Sequence, residues 1–230
     1  MEKFSIKLHI PWDIILVIAA ILCAFVIPVF PPTWGRTPVK IGFTFLFISG
    51  FMTIGNRKWI IVYLVVAAFI MEWVSNVLDW MIIAEISRSL NILFFIIVIF
   101  SLIREMSTAK VVTARVILAS ISGYLLLGFV YSGIVAAIIQ RDPDAYNIIL
   151  IRNGLQDATA HLSESMYYGF ITLANLGYGD IVPLKPYSRS LATLISISGQ
   201  LYIAMIIGIL IGKFVASDLT THKENETQKN

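Results

Sequence analysis

The sequence predicts an all-α membrane protein of six transmembrane helices, on three observations. Hydrophobic residues make up 58% of the 230-residue chain and charged residues 13%, with a mean hydropathy of +0.84, far from the composition of a soluble domain. Apolar runs recur at residues 14–30, 39–54, 59–78, 81–103, 112–139 and 188–216, separated by proline-bearing or charged turns. A seventh, shorter apolar stretch beginning Tyr167-Tyr168 lies between the last two runs and ends in a glycine-rich segment, so it differs in kind from the others.

Charge and cysteine usage narrow the function classes. A net charge of +3 and a pI near 9.0 come from dispersed lysines and arginines, with no basic cluster interleaved with aromatics, so nucleic acid is not an expected partner. The single cysteine, Cys23, lies inside an apolar run, which excludes an intrachain disulfide and suits core packing. His9, His161 and His222 are too scattered to form a metal-ligand spacing. No nucleophile and base pair stands out, and an enzyme is not expected.

Taken in order, the first run follows Lys3, Lys7 and His9 and ends in Pro28, Pro31 and Pro32. It reads as a retained span rather than a leader, since no small-x-small cleavage site follows it. Its length is near the lower limit for crossing a bilayer. Asn56-Arg57-Lys58 makes a basic turn before the third run, which carries Glu72. The fourth contains Glu85 and Arg88 in its first part, and these, with Glu72 and Asp79, should face helix partners or the water interface. Its basic residues are Arg88 and Arg104, at its two ends, too few for a field-driven sensor helix. The fifth and sixth runs exceed the hydrocarbon thickness, as tilted or protruding helices do. Small residues at helix-packing spacing (Ala119 with Gly123, Gly128 with Ser132, Gly208 with Gly212) predict close helix approach. Residues 140–162 read as an exposed outer loop, and Ser163 as the cap of a short helix that has Glu164 in its first turn and runs to about Ala174.

The stretch after that helix, Thr172 to Asp180, reads Thr-Leu-Ala-Asn-Leu-Gly-Tyr-Gly-Asp. Glycine enters positive φ cheaply, so Gly177 and Gly179 can alternate with residues in ordinary conformations. That alternation turns the carbonyls of successive residues to one side and sends their side chains to the other. On its own, Gly-Tyr-Gly-Asp is also a sound polar turn. Between two spans and after a short apolar helix, Leu176-Gly177-Tyr178-Gly179-Asp180 closely resembles the selectivity filter of the tetrameric potassium channels.

The resemblance covers roughly residues 112–216 and implies a re-entrant pore helix and filter between the fifth and sixth transmembrane helices. It implies a pore domain at 112–216, preceded by a four-span membrane domain at 1–111 and followed by a short cytoplasmic tail at 217–230. The implied function is a potassium channel subunit conducting K+ passively through a homotetrameric pore. Ions would bind at Asn175, Leu176, Gly177, Tyr178 and Gly179, with permeant K+ as the only metal and no cofactor. Asp180 matches the aspartate that ends the filter, Tyr167 stands where many members have a tryptophan bonded to it, and Thr172 supports the filter. Gly199 falls at the family's gating-hinge glycine, where close helix packing is an equal reading. The chain would be a multi-pass cell-membrane protein in the lipid bilayer with both termini cytoplasmic. That topology puts Arg57, Lys58, Arg104, Lys110, Arg115 and Lys213 inside.

Departures from the family matter. Ala174-Asn175 replaces the usual Thr-Thr, and the Asn175 amide carries both an acceptor and two donor protons where the family has a hydroxyl. Turned inward, the amide oxygen would coordinate a cation and the nitrogen would repel it. A weakly selective cation channel is therefore the near alternative, and a non-conducting membrane regulatory subunit the more distant one.

Overall fold

The computed structural model describes residues 12–29, 37–53, 81–109, 111–148 and 158–227. Among them the chain is all-helical, with no strand. Helix α1 (Trp12–Ile21) continues through a π-helical turn, Leu22–Val26, into a 3-10 turn, Ile27–Val29; then follow α2 (Thr37–Thr53), α3 (Met81–Thr108), α4 (Ala114–Arg141), a 3-10 turn (Pro143–Ala145), α5 (Ala158–Leu173) and α6 (Pro186–Thr227). Among the described residues, three helical segments are long and apolar enough to cross a membrane: Ile86–Thr108, Ala114–Arg141 and Pro186–Val215. Trp12–Val26 and Pro38–Thr53 are shorter apolar helices. The expected third span, 59–78, lies outside the described residues.

Helix α4 ends where Asp142 takes an extended conformation, as residues before proline do, and the Asp142 carboxylate accepts from the Asp144 amide at 3.1 Å to close the following turn. Helix α6 runs past the expected end of the sixth span and stays helical through Thr227.

The main core lies among α1, α2, α3 and α4. Leu16 and Ala20 of α1 and Cys23 of the π-helical turn meet Leu46 and Phe47 of α2, Phe94, Val98 and Leu102 of α3, and Leu126 and Phe129 of α4. Phe47 stacks on both Phe94 and Phe95, with ring centroids 4.9 and 5.0 Å apart, and Phe43 meets the edge of Phe129 at 5.7 Å. Such pairs add specificity to what is otherwise non-directional burial. Polar groups tie one end of this bundle. Arg115 of α4 reaches Asp13 of α1 at 3.1 Å and Glu105 of α3 at 2.6 Å, while Lys213 of α6 donates to the carbonyls of Met106 and, at 3.2 Å, Ser107 in the last turn of α3. Carbonyls at a helix C-terminus have no intrahelical partner, so a lysine there satisfies acceptors that the helix itself leaves open.

Small residues seat α5 against α4. A Cβ on Gly128 would lie 2.2 Å from the Phe170 ring, and one on Gly169 would lie 2.5 Å from the Ser132 hydroxyl and 3.1 Å from its amide nitrogen. The expected pairing of Gly128 with Ser132 thus forms the α5 seat. Gly123 does the same for α6, since its Cβ would meet the Tyr202 hydroxyl at 2.1 Å. A Cβ on Gly208 or Gly212 would meet nothing within 4 Å among the described residues.

Two expectations need correcting. Ser163 is not a helix cap, because α5 begins at Ala158 and places Ser163 and Glu164 inside the helix. Nor is the segment after α4 wholly an exposed loop: Ala145, Tyr146 and Ile148 are buried in a second core with Tyr131, Val135, Tyr168, Leu173 and Ile195. Their backbone is occupied as well. Asn147 donates to the Val182 carbonyl at 2.9 Å, and Leu184 to that of Ala145 at 2.9 Å, across an antiparallel bridge between Tyr146 and Pro183.

Gly169→Ala should lower the stability of the purified protein by about 1–3 kcal/mol, because the Ser132 backbone cannot move aside as a flexible side chain would. Gly133→Ala, whose Cβ would sit 3.5 Å from Ile92 in ordinary contact, should change it by about 0.5 kcal/mol or less. Thermal unfolding of the two variants in detergent checks the contrast.

Candidate functional site

The site begins where α5 stops. The Leu176 amide donates to the Ile171 carbonyl at 3.0 Å and the Asn175 amide to the Thr172 carbonyl at 3.1 Å. With Asn175 at φ 58, this pair of bonds is a Schellman termination, in which a left-handed residue one past the cap turns the chain off the helix axis. Asparagine is the residue other than glycine most at ease there, because its short polar side chain can bond locally. Gly177 follows at φ 53 and Gly179 at φ 82. Left-handed residues therefore stand at 175, 177 and 179, alternating with Leu176 and Tyr178, whose side chains are 58% and 70% exposed in the single chain.

The start of this segment is pressed against α6. A Cβ on Gly199 would lie 2.1 Å from the Leu173 carbonyl oxygen and 3.0 Å from its carbon, so only glycine lets the two backbones meet. One turn away, the Asn175 amide is bonded at both ends to one residue: its oxygen accepts from the Ser196 hydroxyl, and its nitrogen donates to the Ser196 carbonyl at 3.2 Å and approaches that of Leu173 at 3.4 Å. The carbonyl end of α5, carrying the partial negative charge of the helix dipole, thus opens onto Asn175.

The far end of the segment is tied back to α5. Tyr167 donates its hydroxyl proton to the Asp180 carboxylate. That bond holds the Asp180 carboxyl below the usual carboxylate range, against a smaller opposing effect of desolvation. Glu164, one turn earlier on α5, is pushed up by burial and then by the Asp180 charge. Thr172 bonds to the Tyr168 hydroxyl within α5, and the Tyr168 ring meets Tyr146 edge-on at 5.0 Å. Beyond Asp180, the Ser188 hydroxyl accepts from the Lys185 amide at 3.1 Å and lies 2.8 Å from the Ala145 carbonyl, holding the start of α6 to the segment after α4. Tyr187 adds a bond to Asp142, which lowers that carboxyl as well.

Residues 121–216 match the family model described as "Ion channel". The match supports a pore-loop ion channel domain over this part of the chain. No curated protein and no solved structure matches the chain.

Within the channel domain, the structure places Tyr167 with Asp180 and brings Asn175, Leu176, Gly177, Tyr178 and Gly179 into one alternating segment. Gly199 sits in an unbroken stretch of α6, where its evident task is close approach to α5. The sequence leaves open whether the Asn175 amide turns its oxygen or its nitrogen inward; in the structure the amide is held by Ser196. That serine was not singled out from the sequence, and no local pattern marks it, since its partner is 21 residues away. Tyr146 was missed for another reason: it lies in a polar stretch and is buried by tertiary packing, in a cluster where its ring meets that of Tyr168. The left-handed Asn175 did carry a signal, being an asparagine directly after an apolar helix.

The Tyr167 bond to Asp180 has a readable pH signature. A depressed carboxyl contributes stability that is fully present above its ordinary pKa and is lost as pH falls through the folded-state value, so the bond should persist until pH drops below the usual carboxylate range. Tyr167→Phe should raise the Asp180 titration midpoint toward the ordinary value and leave the fold intact, as followed by carboxylate carbon resonances of the labelled protein. A midpoint that does not move would remove the bond from the site.

Proposed function

We propose that the protein is a subunit of a potassium-selective channel in which four copies surround one axis, and K+ passes along the segment from Asn175 to Gly179. The observation that carries this reading is the alternation of left-handed residues at 175, 177 and 179. A backbone that alternates in this way directs consecutive carbonyl oxygens to one side, which suits replacing the water shell of a cation by oxygens of fixed position. One strand offers too few oxygens to surround an ion. Repetition about a closed symmetry axis supplies the rest.

Two further features support the assembly. Leu176 and Tyr178 are large side chains exposed in the single chain, as are Leu194, Ile197, Leu201, Ile207 and Ile211 along α6. Neighbouring copies and lipid would cover them. On this reading α5 is a re-entrant pore helix whose C-terminal partial charge favours a cation at the inner end of the filter, and Tyr167 with Asp180 braces the outer end. Six spans with both termini cytoplasmic put Arg115 and Lys213 on the inner face, in keeping with the positive-inside rule and with their shared end of the bundle. The filter lacks a side-chain hydroxyl at 175, so discrimination rests on the carbonyls of Leu176, Gly177 and Tyr178, and a weaker potassium preference than in members with threonine is the nearest second reading.

Purified protein in liposomes under opposed potassium and sodium gradients should show potassium flux down its gradient. Gly177→Ala and Gly179→Ala should abolish that flux while tetramers still form by cross-linking, because a side chain opposes φ values of 53 and 82. Flux at the wild-type level in either variant would sink the proposal.

A further inference from the structure

We infer that Ser196 is a positioning residue for ion selection, which acts by holding the Asn175 amide against α6. The inference rests on the channel reading above and concerns a residue that the filter motif does not contain. Asn175 occupies the first left-handed position of the alternating segment, at φ 58, and is at the same time the residue that ends α5. Its side chain has an acceptor and two donor protons, and it is the group nearest the inner end of the segment that could either attract or repel a cation. Ser196 engages both kinds of atom. Its hydroxyl donates to the amide oxygen, and its backbone carbonyl accepts from the amide nitrogen at 3.2 Å, with the Leu173 carbonyl 3.4 Å from the same nitrogen.

This two-sided engagement fixes the amide orientation, which a single bond would leave free to flip. The donor protons face carbonyls of α5 and α6, and the amide oxygen faces a hydroxyl. Neither is then available to an ion at the inner end of the segment, and the Asn175 backbone carbonyl is left as the contribution of this residue. The seat is close because Gly199, one turn along α6, allows α6 to touch the Leu173 carbonyl. Losing the serine hydroxyl leaves the amide oxygen without its donor, while the nitrogen keeps only acceptors that do not depend on the side chain. The amide can then rotate toward the ion path, presenting oxygen in some subunits and nitrogen in others. An inner site of mixed polarity discriminates less between ions of different size.

The test is the reversal potential of single variants and of a double-mutant cycle in liposomes under paired potassium and sodium gradients, with assembly checked by size exclusion. Ser196→Ala should lower the potassium-to-sodium permeability ratio by about fivefold, the scale of one ordinary hydrogen bond. Ser196→Thr, which keeps the hydroxyl, should retain the wild-type ratio. In an Asn175→Gly background, where glycine accepts the left-handed conformation and no amide remains, Ser196→Ala should change nothing further. Should Ser196→Ala fail to assemble, Ser196→Cys, a weak donor of similar size, carries the same expectation. A wild-type protein that conducts, with a ratio unchanged in Ser196→Ala or lowered equally in the Asn175→Gly background, would overturn the role of Ser196 and leave the channel reading standing. A wild-type protein that passes neither cation would overturn both.

Discussion

The end of α5 is the constraint on which the channel domain depends. A helix that stops inside a packed bundle must satisfy its last carbonyls and turn its chain away within a few residues. The Schellman bonds of Leu176 to Ile171 and of Asn175 to Thr172 satisfy two of these carbonyls, and the left-handed Asn175 makes the turn. The same residue sets the phase for Gly177 and Gly179. Helix termination and backbone alternation are thus one feature of the chain, because both need a positive φ at 175.

That end is held from three directions by contacts that tolerate little change in volume. Gly128 and Gly169 let α4 and α5 interlock through Phe170 and Ser132, and Gly199 lets α6 touch the Leu173 carbonyl. The third support is the segment after α4, where Tyr146 packs edge-on against Tyr168 and the backbone pairs with residues 182–184. Close-packed interiors relax only partly around a lost or added atom, so the alternating segment inherits its position from these seats. Asp180 completes the arrangement, because its bond from Tyr167 returns the far end of the segment to the helix from which it departed.

At the other end of the bundle the ties are ionic. Arg115 joins α4 to Asp13 of α1 and Glu105 of α3, and Lys213 joins α6 to the last carbonyls of α3. Asp13 is almost wholly buried, so its pairing with Arg115 matters more than a surface ion pair would. Through these bonds the helices before residue 111 and the long α6 share one set of contacts. The N-terminal helices therefore have a direct physical link to the channel domain, even though their sequences carry no chemical motif.

The sequence by itself determined the helical membrane character, the two long helices that flank the site, and the alternation after α5. Apolar runs and glycine spacing are local properties that survive without knowledge of neighbours. The cysteine in an apolar run, read as core, is buried for the same reason. Residues 145–148 and Ser163 were misread because their surroundings decide their state: a polar stretch is buried where a tyrosine finds a ring to meet, and a serine caps only if the helix starts there. Only the tertiary structure decided that the Asn175 amide belongs to Ser196 and that Gly199 is needed for contact. Side-chain direction and backbone clearance depend on which helices meet and at what height, and a single residue's chemistry does not encode that distance.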